Sequence, residues 1–174
     1  MISFGTVREF VSMQSAMCLA PQTRVLVRSK GYVPACDVTV GTLLVVGQLE
    51  GESAGFTRVR AVKHATGTRF VRINHKVEVT EAHPFFTQSG EWLPAGDLRI
   101  GDWLMGRFGP ERVSGIATLE REESPVIDII TDDPFCVEEL ITMSKSVYRA
   151  SHNMKNLSTI LPIQMPTINN FIAA

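Results

Sequence analysis

Thr80 and His83 stand three residues apart, directly ahead of Pro84, in the stretch Val79-Thr80-Glu81-Ala82-His83-Pro84-Phe85-Phe86. A hydroxyl and an imidazole so placed can hold and pass a proton, because imidazole titrates near neutrality. Pro84 fixes its own φ and pushes His83 towards extended backbone. The ring is therefore expected at a strand end, off the regular ladder, with Phe85 and Phe86 as anchors. Alone, a Thr-x-x-His pair is a weak signal, since most histidines are satisfied core or surface residues. Other groups could also do chemistry. Cys18 precedes the first convincing strand, where a small buried hydrophobe is the ordinary fate of a thiol. Asp128 lies inside the apolar run Val126 to Ile130, where a charge is costly unless it is paired or faces solvent at an edge. His152 and Asn153 are adjacent near the end of the chain.

The elements that must position these groups read as short strands. Thr23 to Val27 is β-branched and alternating, and Arg28 to Gly31 is a turn. Residues 33–44 (VPACDVTVGTLL) then return sixty residues later as 93–104 (LPAGDLRIGDWL), with Pro, Ala, Asp, Gly and the final Leu identical. Two copies imply two related β-subdomains about a pseudo-two-fold axis and are too few for a solenoid. Between the copies we expect strands at Leu43 to Val46, Thr57 to His64, Thr68 to Asn74 and Lys76 to Thr80. Turns at Gly47, Gly51, Gly55 and Gly67 are expected to separate them. Met105 to Gly109 reads as a loop, Val113 to Leu119 as a strand, and Glu120 to Glu123 as a solvated turn. Val126 to Ile130 and Phe135 to Val137 follow as strands, Glu138 to Ser146 as a hairpin extension or loop, and Val147 to Ala150 as a final strand. Many short strands at this spacing argue an all-β domain. Trp92 and Trp103 are expected to fill the core.

The 174 residues suffice for one domain with a core, and 44% hydrophobic with 20% charged residues is a globular composition. A net charge of -1 argues against a nucleic-acid binder. The basic residues Arg58, Arg60, Lys63, Arg69 and Arg72 are spread along alternating strands as a solvated face. With no apolar run of 18 residues, no membrane span is expected, and Arg8 and Glu9 break any signal-peptide core. The three cysteines, Cys18, Cys36 and Cys136, form no C-x-x-C pair. An odd count suggests thiols and a reducing, cytoplasm-like compartment, although the sequence leaves a Cys36–Cys136 bridge open. A zinc site drawn from these cysteines and His64, His75, His83 and His152 lacks ligand spacing.

In this order, Cys18 before a strand, Thr80-x-x-His83, the Pro-Ala-x-Asp-Leu-x-x-Gly-Asp-x-Leu corner, Asp128 in an apolar strand, and His152-Asn153 resemble a Hint domain. That is the self-processing fold shared by inteins, bacterial intein-like domains and hedgehog autoprocessing domains. The match runs from Cys18 to Asn153, 136 residues, the length of a mini-intein without a homing endonuclease. Residues 1–17 and 154–174 would be flanks. The resemblance implies an all-β, horseshoe-like fold with pseudo-two-fold symmetry. It also implies an N–S acyl shift in which Cys18 attacks the Met17 carbonyl, with His83 acting at the scissile bond. Thr80 would orient that bond, and Asp128 would assist the first step. At the other end Asn153 would cyclise to a succinimide with help from His152. The resemblance implies no cofactor, and its partners would be the chain's own flanks in cis, with no nucleic acid or membrane, in a monomer. Splicing inteins place Cys, Ser or Thr after the terminal Asn. This chain has Met154, so the expected outcome is terminal cleavage rather than efficient splicing. A second departure is the histidine the family places after the aspartate, which 132–135 (DDPF) does not supply. The alternative is a degenerate Hint domain kept as a structural or interaction module.

Overall fold

The computed structural model describes residues 17–47, 55–144 and 147–148. Thirteen strands account for most of them: β1 (Arg24–Val27), β2 (Gly31–Pro34), β3 (Leu43–Gly47), β4 (Gly55–Arg58), β5 (Ala61–Ile73), β6 (Val77–Thr80), β7 (Pro84–Phe86), β8 (Trp92–Pro94), β9 (Trp103–Gly106), β10 (Gly109–Arg112), β11 (Ile116–Ile130), β12 (Phe135–Val137) and β13 (Leu140–Thr142). The all-β expectation holds. A ten-stranded sheet runs β10-β9-β13-β12-β1-β3-β4, with β2, β7 and β8 branching from it, and a three-stranded sheet runs β11-β5-β6. Leu19, Val25, Val71, Val79, Ile127 and Phe135 are among the residues of the shared core.

The sequence repeat is a structural repeat with an offset of sixty. Each copy is a strand, a Pro-Ala corner in a single 3-10 turn (Ala35–Asp37 and Ala95–Asp97), then a Gly turn into the next strand. The backbone bonds match in pairs. Ala35 N donates to Thr23 O and Ala95 N to His83 O, while Gly41 N donates to Val59 O and Gly101 N to Val113 O. Gly41 and Gly101 hold φ of 89° and 101°, a region open to glycine at little cost.

At the axis the copies meet. Leu19 pairs antiparallel with Val79, its own counterpart, flanked by Ala20 N to Glu78 O and Thr80 N to Cys18 O, each 3.0 Å. The segment carrying Cys18 is thus paired with the one carrying Thr80, because each half of the fold lends a strand to the other.

Several local expectations change. Gly67 is no turn: β5 passes straight through it, and the two expected strands are one arm of a ribbon with β11. A Cβ on Gly67 would sit 3.4 Å from Thr80 Cγ2 and from Val126 Cγ1, so the missing side chain serves close packing rather than a bend. Glu120 to Glu123 is likewise no chain reversal but a bulge in β11 between Glu120 and Ser124. The expected strand Thr57 to His64 is split, since Val59 bonds the Gly41–Thr42 turn and interrupts the ladder. Met105 to Gly109 is a hairpin joining β9 and β10. Trp92 packs on Phe86, but Trp103 is 47% exposed, because its neighbour Leu104 takes the inward position. Val147 and Tyr148 are helical, with Tyr148 N donating to Ser144 O at 3.0 Å, where a strand is expected. None of the three cysteines is in a disulfide; Cys36 is exposed and Cys136 is buried on a second apolar cluster.

Candidate functional site

Cys18 sits between two strands, and register decides its neighbours. Leu19 pairs with Val79 of β6 on one side and with Ile127 of β11 on the other, exchanging backbone bonds of 2.8 and 2.9 Å with Ile127. Continuing each antiparallel register by one residue sets Thr80 and Asp128 on opposite sides of Cys18. The contact with Thr80 is close. Cys18 N donates to Thr80 Oγ1 at 2.9 Å, and Thr80 Oγ1 donates to Cys18 O at 3.3 Å. Strand alternation would put Thr80 outside with Glu78. It is 4% exposed because the Cys18 segment covers it. Cys18 itself is buried with Phe70 and Val126. Asp128 is half-buried on β11.

His83 follows β6 in a tight turn, its N–H donating to Thr80 O at 3.0 Å, and Pro84 then starts β7. The ring is 2% exposed and lies edge-on to Phe85, at 5.7 Å between centroids. Its Nε2 is 2.8 Å from Thr142 Oγ1 of β13. Its Nδ1 makes no hydrogen bond of regular geometry, but the Met17 backbone is near enough to favour the charged ring. Burial dominates and pulls the pKa down to about 4, so the ring is neutral at physiological pH.

The fold therefore brings Met17, Cys18, Thr80, His83 and Asp128 to one place. His152, Asn153 and Met154 lie outside the described residues. Thr142 is a site residue the sequence reading misses. Nothing local marks it, since a Thr in an apolar strand is ordinary β-sequence. The Cys136 thiol is pushed up to about 12 by burial, so it is not a thiolate at neutral pH. Beside the site, burial alone would raise the Glu78 carboxyl, but hydrogen bonds from Arg121 and Arg72 hold it below its ordinary value. These residues line an open cleft of about 450 Å³ that also touches Ala20 and Phe70. Among the described residues, no three His, Cys, Asp or Glu side chains are grouped to hold a metal ion. No described helix is long and apolar enough to cross a membrane.

Crossed strands at a pseudo-dyad, with a cysteine buried beside a Thr-x-x-His turn, define the class: this is the Hint fold. No family model and no curated protein sequence matches the chain, but solved structures do. The solution structure of the bacterial intein-like domain from Clostridium thermocellum is similar at TM-score 0.65 and 19% identity, covering 75% of this chain and 99% of that one. The gp41-1 intein is similar at TM-score 0.60 and 21% identity, covering 73% and 98%. The TvoVMA intein is similar at 0.59 and 18%, covering 72% and 96%. The chain thus has the fold of inteins and bacterial intein-like domains, which its sequence resemblance implies.

Proposed function

We propose that the chain is a single-turnover self-processing domain that cleaves at its own termini. The Cys18 thiol gives its proton to a base, and the sulfur attacks the Met17 carbonyl carbon. A C–S bond forms, the Met17–Cys18 C–N bond breaks, and the freed Cys18 nitrogen takes a proton, leaving a thioester. His83 is the group suited to move that proton. It is neutral, so it can accept, and burial makes its protonated form acidic enough to give the proton up. Thr80 holds the scissile N–H and the Cys18 carbonyl in place. Asp128, across from Cys18 in the register, assists at the thiol. The thioester then passes to water or an added thiol. At the far end Asn153, helped by His152, closes its side-chain nitrogen onto its own carbonyl carbon and releases the chain from Met154. A methionine thioether cannot accept the acyl group, so cleavage is the outcome rather than splicing. The partners are the flanks 1–17 and 154–174 in cis.

The observation that carries this reading is the register that seats Cys18 between Thr80 and Asp128, with His83 beside Met17. The test is intact mass over time on the fresh 174-residue chain, with and without a thiol. Breaks at Met17–Cys18, accelerated by thiol and absent in Cys18→Ala, support it. A break at Asn153–Met154, absent in Asn153→Ala, supports the second half. An unchanged mass with Cys18 reduced would favour the degenerate-module alternative, and a ligated 1–17/154–174 product would show that splicing persists.

A further inference from the structure

Thr142 is fully buried, and its hydroxyl touches two polar atoms at once. Its Oγ1 lies 2.8 Å from His83 Nε2 and 2.6 Å from the Pro84 carbonyl oxygen. A carbonyl oxygen only accepts, and a threonine hydroxyl has one proton to give. If that proton goes to Pro84, Oγ1 must accept from His83, and Nε2 must carry the hydrogen. The reverse arrangement gives the hydroxyl proton to Nε2. Oγ1 then meets the Pro84 oxygen across 2.6 Å, lone pair against lone pair with no hydrogen between them.

We propose that Thr142 holds neutral His83 as the Nε2–H tautomer, so that Nδ1 presents a lone pair to the Met17–Cys18 junction. Thr142 touches no reacting atom and is a positioning residue. The environment of Nδ1 agrees. It makes no hydrogen bond of regular geometry, as a bare nitrogen would, and the Met17 backbone beside the ring favours the charged form reached once a proton is taken up. In this tautomer the ring can take the Cys18 thiol proton at Nδ1 and become an imidazolium with Nε2–H still bonded to Thr142. It then returns that proton from Nδ1 to the departing Cys18 nitrogen, and the original tautomer is restored. The opposite tautomer would present an N–H to the junction and could accept nothing there. The last described strand, β13, thereby contributes to a reaction at the first residue of the domain.

The consequence for rate rests on the self-processing reading, but the tautomer does not, and the experiment separates them. Nitrogen-15 NMR of histidine-labelled full-length chain, frozen as precursor by Cys18→Ala, reads the His83 tautomer directly. We expect a protonated Nε2 and a bare Nδ1. Thr142→Val keeps the shape and removes the hydroxyl. It should shift the ring to the Nδ1–H form or a mixture and, with Cys18 restored, slow Met17–Cys18 cleavage about a hundredfold. Thr142→Ser should keep both tautomer and rate. A merely structural role for Thr142 would lower the melting temperature without moving the tautomer, and that result would overturn the proposal. So would an Nδ1–H ring in the unsubstituted precursor, a measurement that stands even if Thr142→Val fails to fold. An Nε2–H ring in a chain that never cleaves would support the tautomer and sink the processing reading.

Discussion

Lowering the pH from neutrality should destabilise the fold first through His83, over a window fixed by its burial. The ring's pKa falls from the ordinary 6.5 to about 4 in the folded chain. The unfolded chain therefore binds a proton as pH drops through about 6.5, while the folded one refuses it until about 4. Stability is flat above about pH 6.5 and falls as pH decreases below it, because the unfolded state gains the proton first. One pH unit of such mismatch is worth about 1.4 kcal/mol, so going from about pH 7.5 to about pH 5 should remove about 2 kcal/mol. Glu78 acts with the same sign but lower down. Its carboxyl is depressed from 4.5, and its stabilising ion pairs with Arg72 and Arg121 are lost only as pH falls through that lower range. The assay is urea unfolding of the full chain carrying Cys18→Ala and Asn153→Ala, so that no bond breaks during the measurement. Replacing His83 by Asn in that background should flatten the profile between the two pH values. A change below about 0.5 kcal/mol, or an NMR titration of His83 with a midpoint near the ordinary histidine value, would refute the reasoning.

Two further outcomes follow from the packing at the axis. Gly67→Ala places a Cβ at 3.4 Å from Thr80 Cγ2, an ordinary contact, and should change stability by less than about 1 kcal/mol. Gly67→Val adds carbons where Thr80 and Val126 already sit. It should cost about 1–3 kcal/mol in urea unfolding and slow Met17–Cys18 cleavage as well. Thr80→Val leaves the buried Cys18 N–H without its acceptor and should cost about 1–3 kcal/mol. Thiol-induced cleavage followed by mass should slow more than stability alone explains, and an unchanged rate would remove Thr80 from the mechanism.

Much was legible in the sequence because it depends on local pattern. The alternating β-branched runs specified strands, since period-two burial is a property of the strand itself. The sixty-residue repeat specified the pseudo-dyad, because the same Pro-Ala and Gly corners fold the same way twice. The order of Cys18, Thr80, His83 and Asp128 pointed to the site. Other features depended on what arrives from elsewhere in the chain. Gly67 reads as a turn in its own context, and only the approach of Thr80 and Val126 from two other strands makes it a packing glycine. Thr80 belongs to the outer face by alternation, and only the crossing of the Cys18 segment buries it. Thr142 is fifty-nine residues from His83, and no local rule joins a threonine to a distant imidazole. The types of the candidate site groups and the strands that carry them were thus determined by the sequence itself. Their register, the burial that keeps His83 neutral, and the hydroxyl against its ring were decided by tertiary structure, because desolvation and hydrogen-bond pairing exist only once distant strands have met.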